Sequence, residues 1–106
     1  MSEFIQVTTT ASTKEEAAKI AAALLEQRLA ACAQVVGPVE SRYWWKGAIE
    51  QSTEWLCILK TRRVKFPAVE AAIRANHSYE VPEIVASPIE LASEPYLQWL
   101  RSETAG

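Results

Sequence analysis

Residues 77 to 84, His77-Ser78-Tyr79-Glu80-Val81-Pro82-Glu83-Ile84, gather the chain's only histidine, a tyrosine, two carboxylates and a chain-stiffening proline. An imidazole beside carboxylates and a phenol is the material of a mixed N/O site for a borderline divalent metal, with His77 as its one strong ligand. Glu80 and Glu83 are also the types that exchange protons as acid and base, provided they face each other. The same eight residues equally suit a fastened junction. In that reading His77 hydrogen-bonds backbone or a carboxylate at a helix end, Tyr79 packs, Glu80 caps nearby N–H groups and Pro82 sets the entry to a strand. Other chemistries lack their parts: no Ser or Cys sits in a nucleophile elbow, and Gly37, Gly47 and Gly106 are isolated, so there is no glycine-rich phosphate loop. A small hydrolase of the acylphosphatase kind needs an arginine-bearing loop between the first strand and helix, and Thr8 to Thr13 has none. The residues point to binding without catalysis.

Composition bounds what is bound. At 106 residues, with 49% hydrophobic and 23% charged side chains, the chain has the size and make-up of one globular domain, taken as 1–106. Eleven basic against thirteen acidic residues leave a net charge of -2, which supplies no field for a nucleic acid. No apolar run nears the roughly 20 residues that span a bilayer, and Met1-Ser2-Glu3-Phe4 opens no signal peptide, so a soluble cytoplasmic protein without a membrane partner is expected. Cys32 and Cys57 lie in separate strand-like stretches and form no C-x-x-C pair. In a hairpin turning at Lys46-Gly47, cross-strand partners sum to about 93, which pairs Cys32 with Thr61 and Cys57 with Val36. The sulfurs are then roughly 13 Å apart, too far for a disulfide.

The elements that must position residues 77 to 84 follow from periodicity. Phe4 to Thr10 reads as a first strand. Ser12 with Glu15 and Thr13 with Glu16 both fit a capping box that starts a helix of about 18 residues, its broad apolar face carrying Ala17, Ala18, Ile20, Ala21, Ala22, Leu24, Leu25 and Leu29. Arg28 falls in the last turn of that helix, where it complements the dipole. Residues 32 to 46 and 48 to 61 form a long hairpin, bent at Gly37-Pro38, with Lys60 closing a buried strand within reach of a cleft. The basic run from Lys60 to Lys65 reads as a solvated loop. Phe66-Pro67 opens a second helix with Val69, Ala72 and Ile73 inward and Asn76 as its cap, residues 84 to 91 make a fourth strand, and Ser93-Glu94-Pro95 starts a short C-terminal helix.

This order predicts an α+β, ferredoxin-like βαββαβ fold: a four-stranded antiparallel sheet with both helices on one face, the other face bare, and a long projecting β2-β3 hairpin. Each hairpin arm spans roughly 45 Å at strand rise, whereas the first helix covers about 27 Å. Tyr43, Trp44, Trp45 and Ile49 therefore project beyond the helices and call for burial on another subunit. Three sheets closing a triangular core make a homotrimer the natural assembly.

Five segments carry a family resemblance: Leu29-Ala30-Ala31-Cys32-Ala33, Tyr43-Trp44-Trp45-Lys46-Gly47, Lys60-Thr61, the 77 to 84 block, and Tyr96-Leu97-Gln98-Trp99-Leu100. In order and spacing the chain resembles the CutA divalent-cation-tolerance family over essentially its whole length. The resemblance implies a ferredoxin-like, PII-like homotrimer in the cytoplasm, with a role in tolerance of copper and other divalent cations. Read as a trimeric metal-responsive or ligand-sensing module, the chain would hold its ligand in a cleft between subunits at Lys60, His77, Tyr79, Glu80 and Glu83, with Trp45 contributed by a neighbouring arm. The alternative is a PII-like interaction scaffold that binds a protein or small anion and has no specific metal site. Three positions depart from the family: Ser78 stands where a proline is usual, and Thr9 and Asn76 stand where members credited with copper binding have a thiol and a second histidine. His77 is thus the one residue to which a metal role carries over.

Overall fold

A computed structural model describes residues 2–106. Its order is β1 (Phe4–Ala11), α1 (Lys14–Glu26), β2 (Cys32–Trp45), β3 (Ala48–Arg62), a 3-10 turn at Arg63–Lys65, α2 (Phe66–Ala75), β4 (Val85–Pro88) and α3 (Glu94–Glu103). The sheet runs β2-β3-β1-β4, all neighbours antiparallel, which is the expected ferredoxin-like arrangement. Alternation along β1 and β3 sends Ile5, Val7, Cys57 and Leu59 to one face. There they meet Ala17, Ile20 and Leu24 of α1 and Val69 and Ile73 of α2 in a continuous core.

Local chemistry sets the element ends. The Thr13 hydroxyl accepts the Glu16 N–H at 3.0 Å, but the Glu16 carboxylate does not return to Thr13; it accepts the Ser78 N–H at 3.0 Å instead. Half of the capping box is thereby converted into a tie between α1 and the 77 to 84 segment. Helix α1 runs 13 residues rather than 18, and only Ala17, Ile20, Ala21 and Leu24 are buried on it, so the apolar face is narrower than expected and Ala18, Ala22 and Leu25 face outward. Beyond its end Arg28 takes a positive φ of 58°, with Leu29 N–H bonded to Leu24 O and Arg28 N–H to Leu25 O, a Schellman closure.

Four further expectations are corrected. The hairpin turns at Lys46-Gly47, but Gly37-Pro38 is a bulge in which two residues of β2 oppose Trp55 alone, so on the body side of it Cys32 pairs with Lys60 and Cys57 with Val35, one residue from the predicted register. The cysteines, both free, lie on opposite sheet faces. The second face is not wholly bare: β1 alternation puts Phe4 there, and α3 packs over it with Leu100 buried and the Arg101 guanidinium 5.2 Å from the Phe4 ring centroid. The basic run is a clamp rather than a solvated loop, since Arg62 donates to Thr104, Arg63 Nε to Ser2 O at 2.7 Å and Lys65 Nζ to Gly106 O at 2.9 Å. Strand β4 keeps only four residues of the predicted 84 to 91, Val85–Pro88, although the Ile89 N–H continues the same register with a bond to Phe4 O at 2.9 Å.

Past the bulge the hairpin runs on alone. The molecule measures 44 × 25 × 23 Å, and the long dimension holds an arm on which Trp44 is 73% and Ile49 64% exposed.

Candidate functional site

Helix α2 stops at the Asn76 cap, whose N–H bonds Ile73 O and whose side-chain amide donates to Ala72 O at 2.8 Å. The chain then crosses the end of the sheet toward β4 as an irregular segment held at three points. The His77 Nε2 is 2.6 Å from Thr10 O, and its Nδ1 accepts the Tyr79 N–H at 3.1 Å. An acceptor at Nδ1 and a carbonyl at Nε2 assign the Nε2–H tautomer, so both ring nitrogens are engaged and no lone pair is left for a metal. Ser78 N–H bonds Glu16, the second point. Glu16 Oε1, in turn, is buried without a hydrogen-bond partner among the described residues. The third point is the Tyr79 hydroxyl, which donates to Glu54 Oε2 at 2.7 Å. Burial first, then the hydrogen bond and charge of Glu54, push the Tyr79 phenol well above the usual tyrosine range, so it remains a proton donor to this carboxylate.

Glu54 is the residue that pattern reading missed. It precedes the apolar run Trp55-Leu56-Cys57-Ile58-Leu59, sits opposite Val39 and is only 6% exposed. The signal available in the sequence was a carboxylate in step with Leu56 and Ile58 on a sheet face, where a charge is buried only with a partner. That partner lies 25 positions away, on a segment without periodicity.

Between the 77 to 84 segment and the near side of the arm lies a cleft of about 730 Å³. Tyr79, Glu80 and Glu83 line it from the segment, and Trp45 and Glu54 from the hairpin. Its wall also takes in Tyr43, whose hydroxyl is 3.1 Å from Ser52 Oγ, and Arg42, which is held by Glu40 at 2.9 Å. Four of the six predicted residues, Tyr79, Glu80, Glu83 and Trp45, therefore line one cleft within a single chain, Trp45 from the chain's own arm. Two do not line the cleft. His77 stands behind it as a clip between β1 and the segment. Lys60 lies in the body, across from Cys32, with its Nζ bonded to Gln34 Oε1 at 3.0 Å.

This arrangement can hold a ligand by charge, aromatic contact and hydrogen bonding. No group of three or more His, Cys, Asp or Glu side chains among the described residues gathers as metal ligands do. No helix of the described residues is long and apolar enough to cross a membrane.

Residues 5–103 match the family model of the CutA1 divalent ion tolerance protein. The chain is 45% identical over 100 residues to the divalent-cation tolerance protein CutA of Archaeoglobus fulgidus, covering 94% of this chain and 95% of that protein. It is 39% identical to the chloroplastic protein CutA 1 of Oryza sativa subsp. japonica, again over 94% of this chain, but it spans only 56% of that longer protein. Among solved structures, CutA1 from a psychrotrophic Shewanella bacterium superposes with a TM-score of 0.95 at 39% identity, covering 99% of this chain and 98% of that one. The divalent cation tolerance protein of Thermus thermophilus gives 0.94 at 41% identity, covering 96% and 99%. These relatives are named for tolerance of divalent cations or for the family, and none of them for a catalysed reaction. Sequence, fold and the 77 to 84 block agree: the chain belongs to the CutA1 divalent ion tolerance family.

Proposed function

We propose that the chain works as a single CutA-like domain in a cytoplasmic homotrimer that contributes to tolerance of divalent cations, copper among them, by binding a small ligand in the cleft and not by catalysis. The observation that carries this reading is the Glu54–Tyr79 pair: a carboxylate 6% exposed, fastened by a phenol at 2.7 Å, on the wall of a cleft of small-molecule size. The trimer is supported by the arm, whose exposed Trp44 and Ile49, paired on the face away from the cleft, would otherwise remain in water. A PII-like scaffold with no specific metal site is the second reading, and the engaged His77 ring favours it over a metal centre at that residue. A metal that bound His77 would have to displace the Thr10 carbonyl or the Tyr79 amide, and so would loosen the segment.

Sedimentation and calorimetry test these statements together. The expected result is a mass of three chains at micromolar concentration, falling to one chain on the double substitution Trp44→Ser, Ile49→Ser. A monomeric mass for the native chain sinks the trimer. Titration with Cu(II) and Zn(II) of native and His77→Ala protein separates the readings: saturable heat lost on substitution assigns the metal to His77, and its absence leaves the scaffold.

A further inference from the structure

The geometry points to an organic ammonium ion as the ligand of the cleft between the arm and the 77 to 84 segment, held by Glu54 with Glu80 and Glu83 and by the rings of Trp45 and Tyr43. This deepens the small-ligand reading above and rests on it. Three observations converge. The first is charge: three carboxylates line the cleft against one guanidinium, and that guanidinium, Arg42, is already engaged by Glu40 at 2.9 Å. Glu54, nine-tenths buried, is paired with no basic side chain among the described residues. A carboxylate so withdrawn from water leaves an unmatched negative charge, and a cation entering the cleft recovers what burial costs.

The second is the wall. Aromatic faces attract cations within about 6 Å of the ring centroid, most strongly when both are withdrawn from water. The chain already uses Trp45 in this way, since Lys46 Nζ stands 5.6 Å from its ring. An ammonium on an alkyl body matches such a wall twice, with charge toward the carboxylates and methylenes against the rings.

The third is size and spread. A divalent metal needs oxygens converging at about 2.0–2.6 Å, and these carboxylates do not gather as ligands. A cleft of about 730 Å³ whose charges are distributed round an aromatic wall fits a diffuse cation of several heavy atoms. Anions are disfavoured by the same field: Glu54, and Glu16 behind it, are among the charges that raise the Tyr79 phenol.

The experiment compares two probes of one shape, choline and its uncharged isostere 3,3-dimethylbutan-1-ol, titrated into the native oligomer and followed by tryptophan fluorescence and calorimetry. Choline is expected to saturate, with the alcohol at least about tenfold weaker, as a charge-dependent difference of one decade requires. 1,4-Diaminobutane is expected to compete. Glu54→Gln keeps an acceptor for the Tyr79 hydroxyl, so the fold is retained, and should weaken choline about tenfold or more while leaving the alcohol unchanged. Glu83→Gln, on an exposed residue, should weaken it several-fold, an effect that added salt also produces. Equal binding of the two probes, or no saturation of either by protein with a native thermal transition, overturns the proposal. So does binding of Zn(II) or Cu(II) with none of choline, which leaves the tolerance reading standing. Loss of the trimer together with silence toward both metals and amines would instead break the broader reading.

Discussion

Leu59 and Ile49 lie on the same strand, one wholly buried and the other 64% exposed. The boundary between their surroundings is the bulge at Gly37-Pro38. On the body side every second residue of β1 and β3 meets a helix, and the core closes within the chain. On the arm side the two strands have only each other, and an isolated hairpin of this kind is marginal in water. The body is therefore where the fold's stability resides, while the arm spends its side chains on the cleft and on surfaces that face outward. Regions so different respond differently to the same kind of change.

The largest expected difference comes from truncation. Leu24→Ala removes a fully buried side chain from the α1 face and should lower unfolding stability by about 2–5 kcal/mol. Ile49→Ser on the arm should alter the stability of the dissociated chain by no more than about 0.5 kcal/mol. Urea titrations of both variants, at a protein concentration where the native chain is a single species, measure the contrast. Comparable losses would show the arm to be part of the cooperative unit.

The bulge is the joint between the regions, and Gly37 is its crowded point. A Cβ built there falls 2.6 Å and 2.8 Å from Cε3 and Cδ2 of Trp55, closer than packed atoms come. Trp55 cannot simply withdraw, because its other neighbours include the core and the Lys14 ammonium, 5.7 Å from its ring. Gly37→Ala should cost about 1–3 kcal/mol by this overpacking. It should also re-aim the arm, and hence weaken any ligand of the cleft while leaving the α1 and α2 core intact. Thermal unfolding and cleft titration of one variant test both; unchanged binding at reduced stability would detach the cleft from the joint.

What could be read from the sequence divides along the same boundary. The Thr13 cap, the Lys46-Gly47 turn and the proline at the start of α2 depend on neighbours a few residues away, and the structure has them where pattern reading puts them. The burial of Val69 and Ile73 follows from helical period alone. The cleft depends instead on meetings between distant stretches. Tyr79 finds Glu54, Ser78 finds Glu16 and His77 finds Thr10, and none of the three is coded by spacing. The bulge is visible as Gly37-Pro38, yet its one-residue slip, which decides the partners of Cys32 and Cys57, is not. The placement of α3 across the second face rests on Phe4, Arg62 and Thr104, which give no periodic signal together.

The last of the expected effects separates body from arm by titration. Cys57 sits on the helix side of β3, wholly buried, and burial lifts its thiol from the ordinary 9.0 to about 11. Because the folded value is the higher one, the protonated thiol favours the native state. That contribution is complete below pH 9 and is lost as pH rises toward 11, where the unfolded chain ionises and the folded chain resists. The loss should reach no more than about 3 kcal/mol, with Tyr79, also raised, adding to it above pH 10. Cys57→Val should remove the part between pH 9 and 11 and leave the tyrosine part in place. Amide exchange locates the effect once rates are corrected for intrinsic base catalysis: protection of residues 55 to 61 should fall across that window in the native chain and not in the variant. Residues 49 to 53, which owe little to the core, should stay level in both. Parallel loss in the arm would mean that its hairpin bonds open only with the body, and the two regions would then be one.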